Sequence, residues 1–135
     1  MSYHVLEDLE VYRLSDEFSN NIWEIVISWD YFAKDTVGKQ IVRSADSIST
    51  NIAEGYGRYH YKENKNFCFY SRGSILETKG WLKKANVRKL ITPEQFFILL
   101  ENLQVIHLKL NAYIKFIGKQ ATLRNSLPDT NEPMS

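Results

Sequence analysis

Gln40-Ile-Val-Arg-Ser-Ala-Asp-Ser-Ile-Ser-Thr-Asn-Ile-Ala-Glu-Gly-Tyr-Gly-Arg58 writes two helical stripes into one stretch of chain. With Val37 ahead of them, Ile41, Ala45, Ile48, Ile52 and Tyr56 recur at steps of four and three, the spacing that lines one face of an α-helix. Gln40, Ser44, Ser47, Asn51, Glu54 and Arg58 follow the same rhythm beside them, so a polar stripe runs along the apolar one. Asp35 has the short carboxylate that starts a helix. Gly55 and Gly57 bracket Tyr56, where glycine in the left-handed conformation ends one. The reading is a helix from Asp35, with a break over 57–60.

Working outward, three more helices are expected. From Leu9, the residues Val11, Leu14, Phe18, Ile22, Ile25, Trp29 and Phe32 alternate steps of three and four, with Trp23, Val26 and Ile27 widening the face. The pattern fades over 29–34. After the break, Tyr61 to Leu90 reads as a helix apolar on two sides. Phe67, Tyr70, Ser71, Ser74, Ile75, Thr78, Trp81, Leu82 and Ala85 form one face; Phe69, Gly73, Leu76, Gly80 and Val87 form the other. Such a helix is expected to be sandwiched. Its glycines, Gly73 and Gly80, sit one heptad apart, where they either admit a bulky side chain of the same bundle or mark a subunit contact. Thr92-Pro93-Glu94-Gln95 then combines a cap, a proline at the first helical position and a glutamine able to reach back. Phe96, Leu99, Leu103, Ile106, Leu110, Tyr113 and Ile117 follow without a miss, and Gly118 reads as the stop. That helix would be about 35 to 40 Å long at ~1.5 Å per residue. Residues 119–135, with Pro128 and Pro133, carry no periodicity and read as a disordered tail.

Four long helices with short connections predict an all-α fold: one antiparallel, up-down-up-down four-helix bundle over residues 1–118. The composition agrees. A chain of 135 residues, 44% hydrophobic and 24% charged, can bury one core without metals or disulfides, and the single cysteine, Cys68, fits a reducing compartment. No signal sequence or membrane span is expected, so a cytoplasmic location is. A net charge of +1 gives no global pull toward a polyanion.

The groups Gly38-Lys39-Gln40, Arg43-Ser44-Ala45-Asp46-Ser47-Ile48, Asn51-Ile52-Ala53-Glu54-Gly55, Gly57-Arg58 and Arg72-Gly73-Ser74-Ile75-Leu76-Glu77 resemble a family of four-helix-bundle proteins. The family is named for proteins encoded in intervening sequences of bacterial large-subunit ribosomal RNA genes. The resemblance spans Leu9 to Ile117 and is densest in Ser-Ile-x-x-Asn-Ile-Ala-Glu-Gly. It implies a ring-like homopentamer with no established enzymatic activity. A related branch resembles the accessory protein of diversity-generating retroelements, a basic pentamer that engages nucleic acid and a reverse transcriptase; the near-neutral charge of this chain departs from that branch.

Candidate sites follow from these patterns. The polar stripe, Gln40, Ser44, Ser47, Asn51, Glu54 and Arg58, together with Gly73 and Gly80, is read either as a hydrogen-bonded seam against another helix or subunit, or as a solvated helix face. Lys79, Lys83, Lys84, Arg88 and Lys89 have no acid among them, and Arg58, Tyr59, His60, Tyr61 and Lys62 interleave aromatics with charge. Either cluster could contact phosphates while tyrosines stack on bases; equally, cations near a helix C-terminus complement its dipole. A catalytic reading finds little. No acidic residue stands three before a histidine, as a di-iron bundle requires, His4, His60 and His107 are scattered, and Cys68 reads as a packing residue. No cofactor or metal is expected. The partners are expected to be further copies of the chain, with a protein or nucleic acid docking on the assembly, and no membrane. The function expected is that of a noncatalytic oligomeric scaffold, with a nucleic-acid-binding accessory factor as the alternative.

Overall fold

The computed structural model describes residues 5–126, with side chains to 123. Every element among them is helical. A 3₁₀ turn, Leu6–Asp8, leads into α1, Glu10–Val26. A second rod begins with α2, Tyr31–Ala33, passes through a π-helical turn at Lys34–Gly38 and continues as α3, Lys39–Tyr56. Helices α4, Tyr61–Val87, and α5, Pro93–Ser126, complete four rods.

α3 packs on α1 and α4, and α5 closes the square against the same two helices. Short connections make neighbours antiparallel, which gives the up-down-up-down bundle. Its core is the set of stripes read from the sequence: Val11, Phe18 and Ile22; Ile41, Ala45, Ile48 and Ile52; Ile75, Leu82 and Ala85; Leu99, Leu103, Ile106, Leu110, Tyr113 and Ile117, all buried.

Helix boundaries differ from the sequence reading in three places. α1 stops at Val26, and the second rod starts at Asp30, whose carboxylate accepts from the Ala33 amide at 2.9 Å. Asp35 lies inside that rod and pairs with Lys39 at 3.2 Å. Phe32, assigned to the face of the first helix, is exposed. The glycines at the end of α3 do not turn left-handed: Gly55 lies inside the helix, Gly57 has φ of −78°, and the one positive φ among the described residues is at Lys89, 60°. Lys89 ends α4 in a Schellman arrangement, its amide bonded to Asn86 and that of Leu90 to Ala85. α5 does not stop at Gly118 but runs on to Ser126, so its 34 residues span ~50 Å at ~1.5 Å each. The part of the expected tail after 126 lies outside the described residues.

The start of α5 is as read. Gln95 N–H donates to Thr92 Oγ1 at 3.0 Å, and Thr92 N–H donates to Gln95 Oε1 at 2.9 Å, so two otherwise free amides are satisfied reciprocally. Thr92→Ala is expected to lower the unfolding free energy by ~1 kcal/mol, measurable by urea denaturation with an unchanged m-value.

Candidate interaction surfaces

α4 has an interior of small and polar residues: Asn64, Cys68, Ser71 and Thr78 are buried beside Ile75 and Leu82. Ser71 and Thr78 are satisfied across the α3–α4 contact, whereas Asn64 donates to the Tyr113 hydroxyl of α5 and accepts from the Cys68 thiol. The Ser71 hydroxyl donates to the Ile48 carbonyl at 2.7 Å. Thr78 donates to Ser44 Oγ at 2.9 Å, with the Ser74 carbonyl 2.7 Å away as a second acceptor, and Ser44 donates to the Ile41 carbonyl at 3.2 Å. Hydroxyls this short let the two backbones approach closely, and each satisfied pair avoids the ~1 to 3 kcal/mol cost of a buried polar group left alone.

The polar stripe on α3 is therefore split by depth. Ser44 faces inward and joins Thr78. Ser47 bonds the Arg43 carbonyl, and Asn51 bonds the Ser47 carbonyl at 2.8 Å. Gln40 accepts from Arg43, which also pairs with Glu77 of α4. Glu54 and Arg58 pair at 2.8 Å with side chains 54% and 39% exposed, a link contributing only ~0.3 to 0.5 kcal/mol. Arg43 and Glu77, like Ser71 and Thr78, were not singled out as site residues. Their signal was Arg43 lying three residues after Gln40 and Glu77 lying one before Thr78, which becomes legible only once the helix pairing is known.

The second face of α4 is not sandwiched within the bundle. Phe69, Leu76 and Val87 are exposed, and a Cβ built on Gly73 or Gly80 would meet nothing within 4 Å. The bundle's own side chains do not fill those glycines. Beside Leu76 a groove of about 470 Å³ opens between α4 and α5, with Phe97, Leu100 and Leu108 along it and Lys79 and Glu101 also lining it. Leu76, Phe97 and Leu108 are 58%, 62% and 60% exposed, an unusual concentration of large apolar side chains at one place on a surface.

Of the basic clusters, Lys79, Lys83, Lys84, Arg88 and Lys89 stand exposed at the C-terminal end of α4, and Lys62 is exposed at its start. Tyr59 and Tyr61 are half-buried, and the Arg58 guanidinium lies 4.9 Å from the centroid of the Phe67 ring. The two clusters sit at opposite ends of α4. Between α1 and α3, burial and the charge of Asp16 raise the Asp46 carboxyl, while a hydrogen bond with Ser19 lowers it. Among the described residues no group of three metal-ligating side chains comes together. His107 lines the α4–α5 groove.

Burial pushes the Cys68 thiol up from 9.0 to about 12, so the native protein holds it protonated. Its contribution to stability is fully present below the ordinary thiol value and is lost as pH climbs toward about 12. In native protein at pH 8, Cys68 is expected to resist a thiol-alkylating reagent that labels it promptly in urea; equal rates in both would contradict the buried placement.

A model of the family described as 23S rRNA-intervening sequence protein matches residues 7–112. Among solved structures, a protein of unknown function from the S23 ribosomal protein family of Bacteroides thetaiotaomicron VPI-5482 superposes with a TM-score of 0.70 at 26% identity. The match covers 78% of this chain and 98% of that one. No curated protein matches the chain.

Proposed function

We propose, because this chain belongs to the 23S rRNA-intervening sequence protein family, that it is a noncatalytic interaction protein working as a homopentameric ring of helical bundles. The observation that carries this reading is the outer face of α4 and α5. Gly73 and Gly80 cost helix propensity, ~1 kcal/mol each relative to alanine, and no atom of the bundle occupies the space they leave. On the same outer surface Leu76 of α4 and Phe97 and Leu108 of α5 line the α4–α5 groove and stand exposed. A second copy of the chain is the occupant. Trp23 on α1 and Ile27 just after it, both about half exposed, offer the bulky apolar counterpart. A contact between two different faces is heterologous, the kind that closes into a ring when its rotation permits.

Size-exclusion chromatography with light scattering tests this directly. The expected mass is five times the 15.8 kDa of the chain. Leu76→Glu places a charge in the contact without touching the core, and is expected to yield monomers with unchanged helical circular dichroism. A monomeric parent protein at tens of micromolar would overturn the reading.

A further inference from the structure

The α4–α5 groove changes character at Asn111. Toward the C-terminal end of α5 it becomes an open trough of about 820 Å³, with Lys65 and Arg72 contributed by α4 and Lys115 and Lys119 by α5. No acidic residue lines it. A chain with a net charge of +1 thus gathers four cations in one concavity, and none of the four belongs to an ion pair among the described residues. Concave walls focus such a field.

The arrangement runs against local helix stability. Lys115 and Lys119 are one turn apart, where like charges cost ~0.2 to 0.5 kcal/mol. Gly118 lies between them in mid-helix, at a further cost of ~1 kcal/mol. Its missing side chain leaves the floor open: Lys65 Nζ would be 3.9 Å from a Cβ placed there, so the ammonium reaches across from α4 to α5. Arg72 is held in place, its Nη1 donating to Asn111 Oδ1 at 2.9 Å and its guanidinium 5.0 Å from the centroid of the Phe69 ring. The Asn111 amide group keeps its own N–H donors, since its oxygen is the atom engaged.

We propose that this trough binds a linear run of phosphate groups, the chemistry shared by inorganic polyphosphate and the backbone of a nucleic-acid strand. Three of the four cations are lysines, compact point charges that suit tetrahedral oxyanions approached from any side. Planar carboxylates are better held by arginine forks, and the single arginine here is already committed to Asn111. Lys65 and Arg72 are seven residues apart, ~10 Å along α4 at ~1.5 Å per residue, so the cations spread along the trough and fit a chain of anions better than one. The trough is distinct from the basic cluster at the end of α4 and does not depend on the pentamer.

The test is fluorescence anisotropy with two labelled probes, a polyphosphate of defined length and an oligothymidylate, at ~50 mM salt where electrostatic contacts are strongest. Submillimolar binding of at least one is expected, and which one binds assigns the source. The double variant Lys115→Ala/Lys119→Ala is expected to weaken binding at least tenfold. It should also flatten the salt dependence for the strand by about 1.4 in log–log slope, at ~0.7 per phosphate. Lys34→Ala/Lys39→Ala removes the same formal charge outside the trough and outside both basic clusters, and is expected to change affinity less than threefold. All four lysines are exposed, so both variants should fold. The proposal is overturned if neither probe binds, if the two double variants lose affinity equally, or if polyglutamate of matched charge binds as tightly.

Discussion

Gly55→Val is expected to destabilise the protein by ~3 kcal/mol, whereas Gly73→Ala and Gly80→Ala, in the neighbouring helix, should each stabilise the isolated bundle by up to ~1 kcal/mol. All three positions are helical, so propensity favours the substitution at each. Space decides the sign. A Cβ on Gly55 would lie 2.6 Å from Asn64 Oδ1, 2.9 Å from the Asn64 carbonyl oxygen and 2.9 Å from Phe67 Cβ. Two of those three atoms belong to backbone or stand at the root of a side chain, so α4 would have to retreat. Asn64 has little room to do so, since its Nδ2 donates to the Tyr113 hydroxyl at 3.3 Å and its Oδ1 faces the Cys68 thiol at 3.7 Å. The gain in propensity is outweighed. Urea denaturation of the three variants checks the contrast, and a stabilised Gly55→Val would refute the close approach of α3 and α4. Gly73→Ala has a second readout: in a pentamer that uses the α4 face, it should raise the stability of the monomer while weakening assembly.

The different meanings of these glycines explain what could be read in advance. The fold was legible wherever interior residues are large and apolar, as in α1, α3 and α5, where steps of three and four name the buried side directly. In α4 the expected face does hold the buried Ser71, Ile75, Thr78, Leu82 and Ala85, but Asn64 and Cys68 complete that interior. The burial of Asn64 depends on Tyr113 of α5, a partner that periodicity does not identify. Gly55 read as a helix terminator because its contact is with Asn64, across a chain reversal. Gly118 read as a stop because glycine is a poor helix former, yet a deficit of ~1 kcal/mol at one position does not end a helix already held by the packing of Tyr113 and Ile117. Asp30 was hidden as a cap because Trp29 and Phe32 continue the apolar spacing of α1 through the turn.

The candidate surfaces were legible to a smaller degree. The polar stripe of α3 follows helical spacing along α3, but spacing alone does not fix how deeply each member sits. Along that stripe Ser44 is fully buried while Glu54 and Arg58 stay in solvent. The trough at Lys65, Arg72, Lys115 and Lys119 left no local trace at all. Its cations come from two helices some fifty residues apart in sequence, and only the antiparallel pairing of α4 with α5 brings them together.

The second large effect lies in α1. Phe18 is 2% exposed and is the largest buried side chain that α1 contributes to the core. Phe18→Ala is expected to cost ~3 to 5 kcal/mol, a large share of the ~5 to 15 kcal/mol that stabilises a typical domain. Two terms compose that figure: transfer of the ring to water on unfolding is no longer recovered, and the space it leaves must either collapse or stay open. Collapse is hindered because Ile22 and Ile106 are already packed in the same core. Opening is helped by a cleft of about 130 Å³ that Phe18 borders together with Leu14, Asn21, Asn102 and Ile106, through which water could reach the vacated space. The cost should therefore fall toward the lower half of the range, with α1 loosening before the other helices. Hydrogen exchange checks this: in Phe18→Ala, amides of 11–26 should lose protection ahead of those of 41–56, and simultaneous loss in both helices would show that α1 is not a separable unit of the bundle.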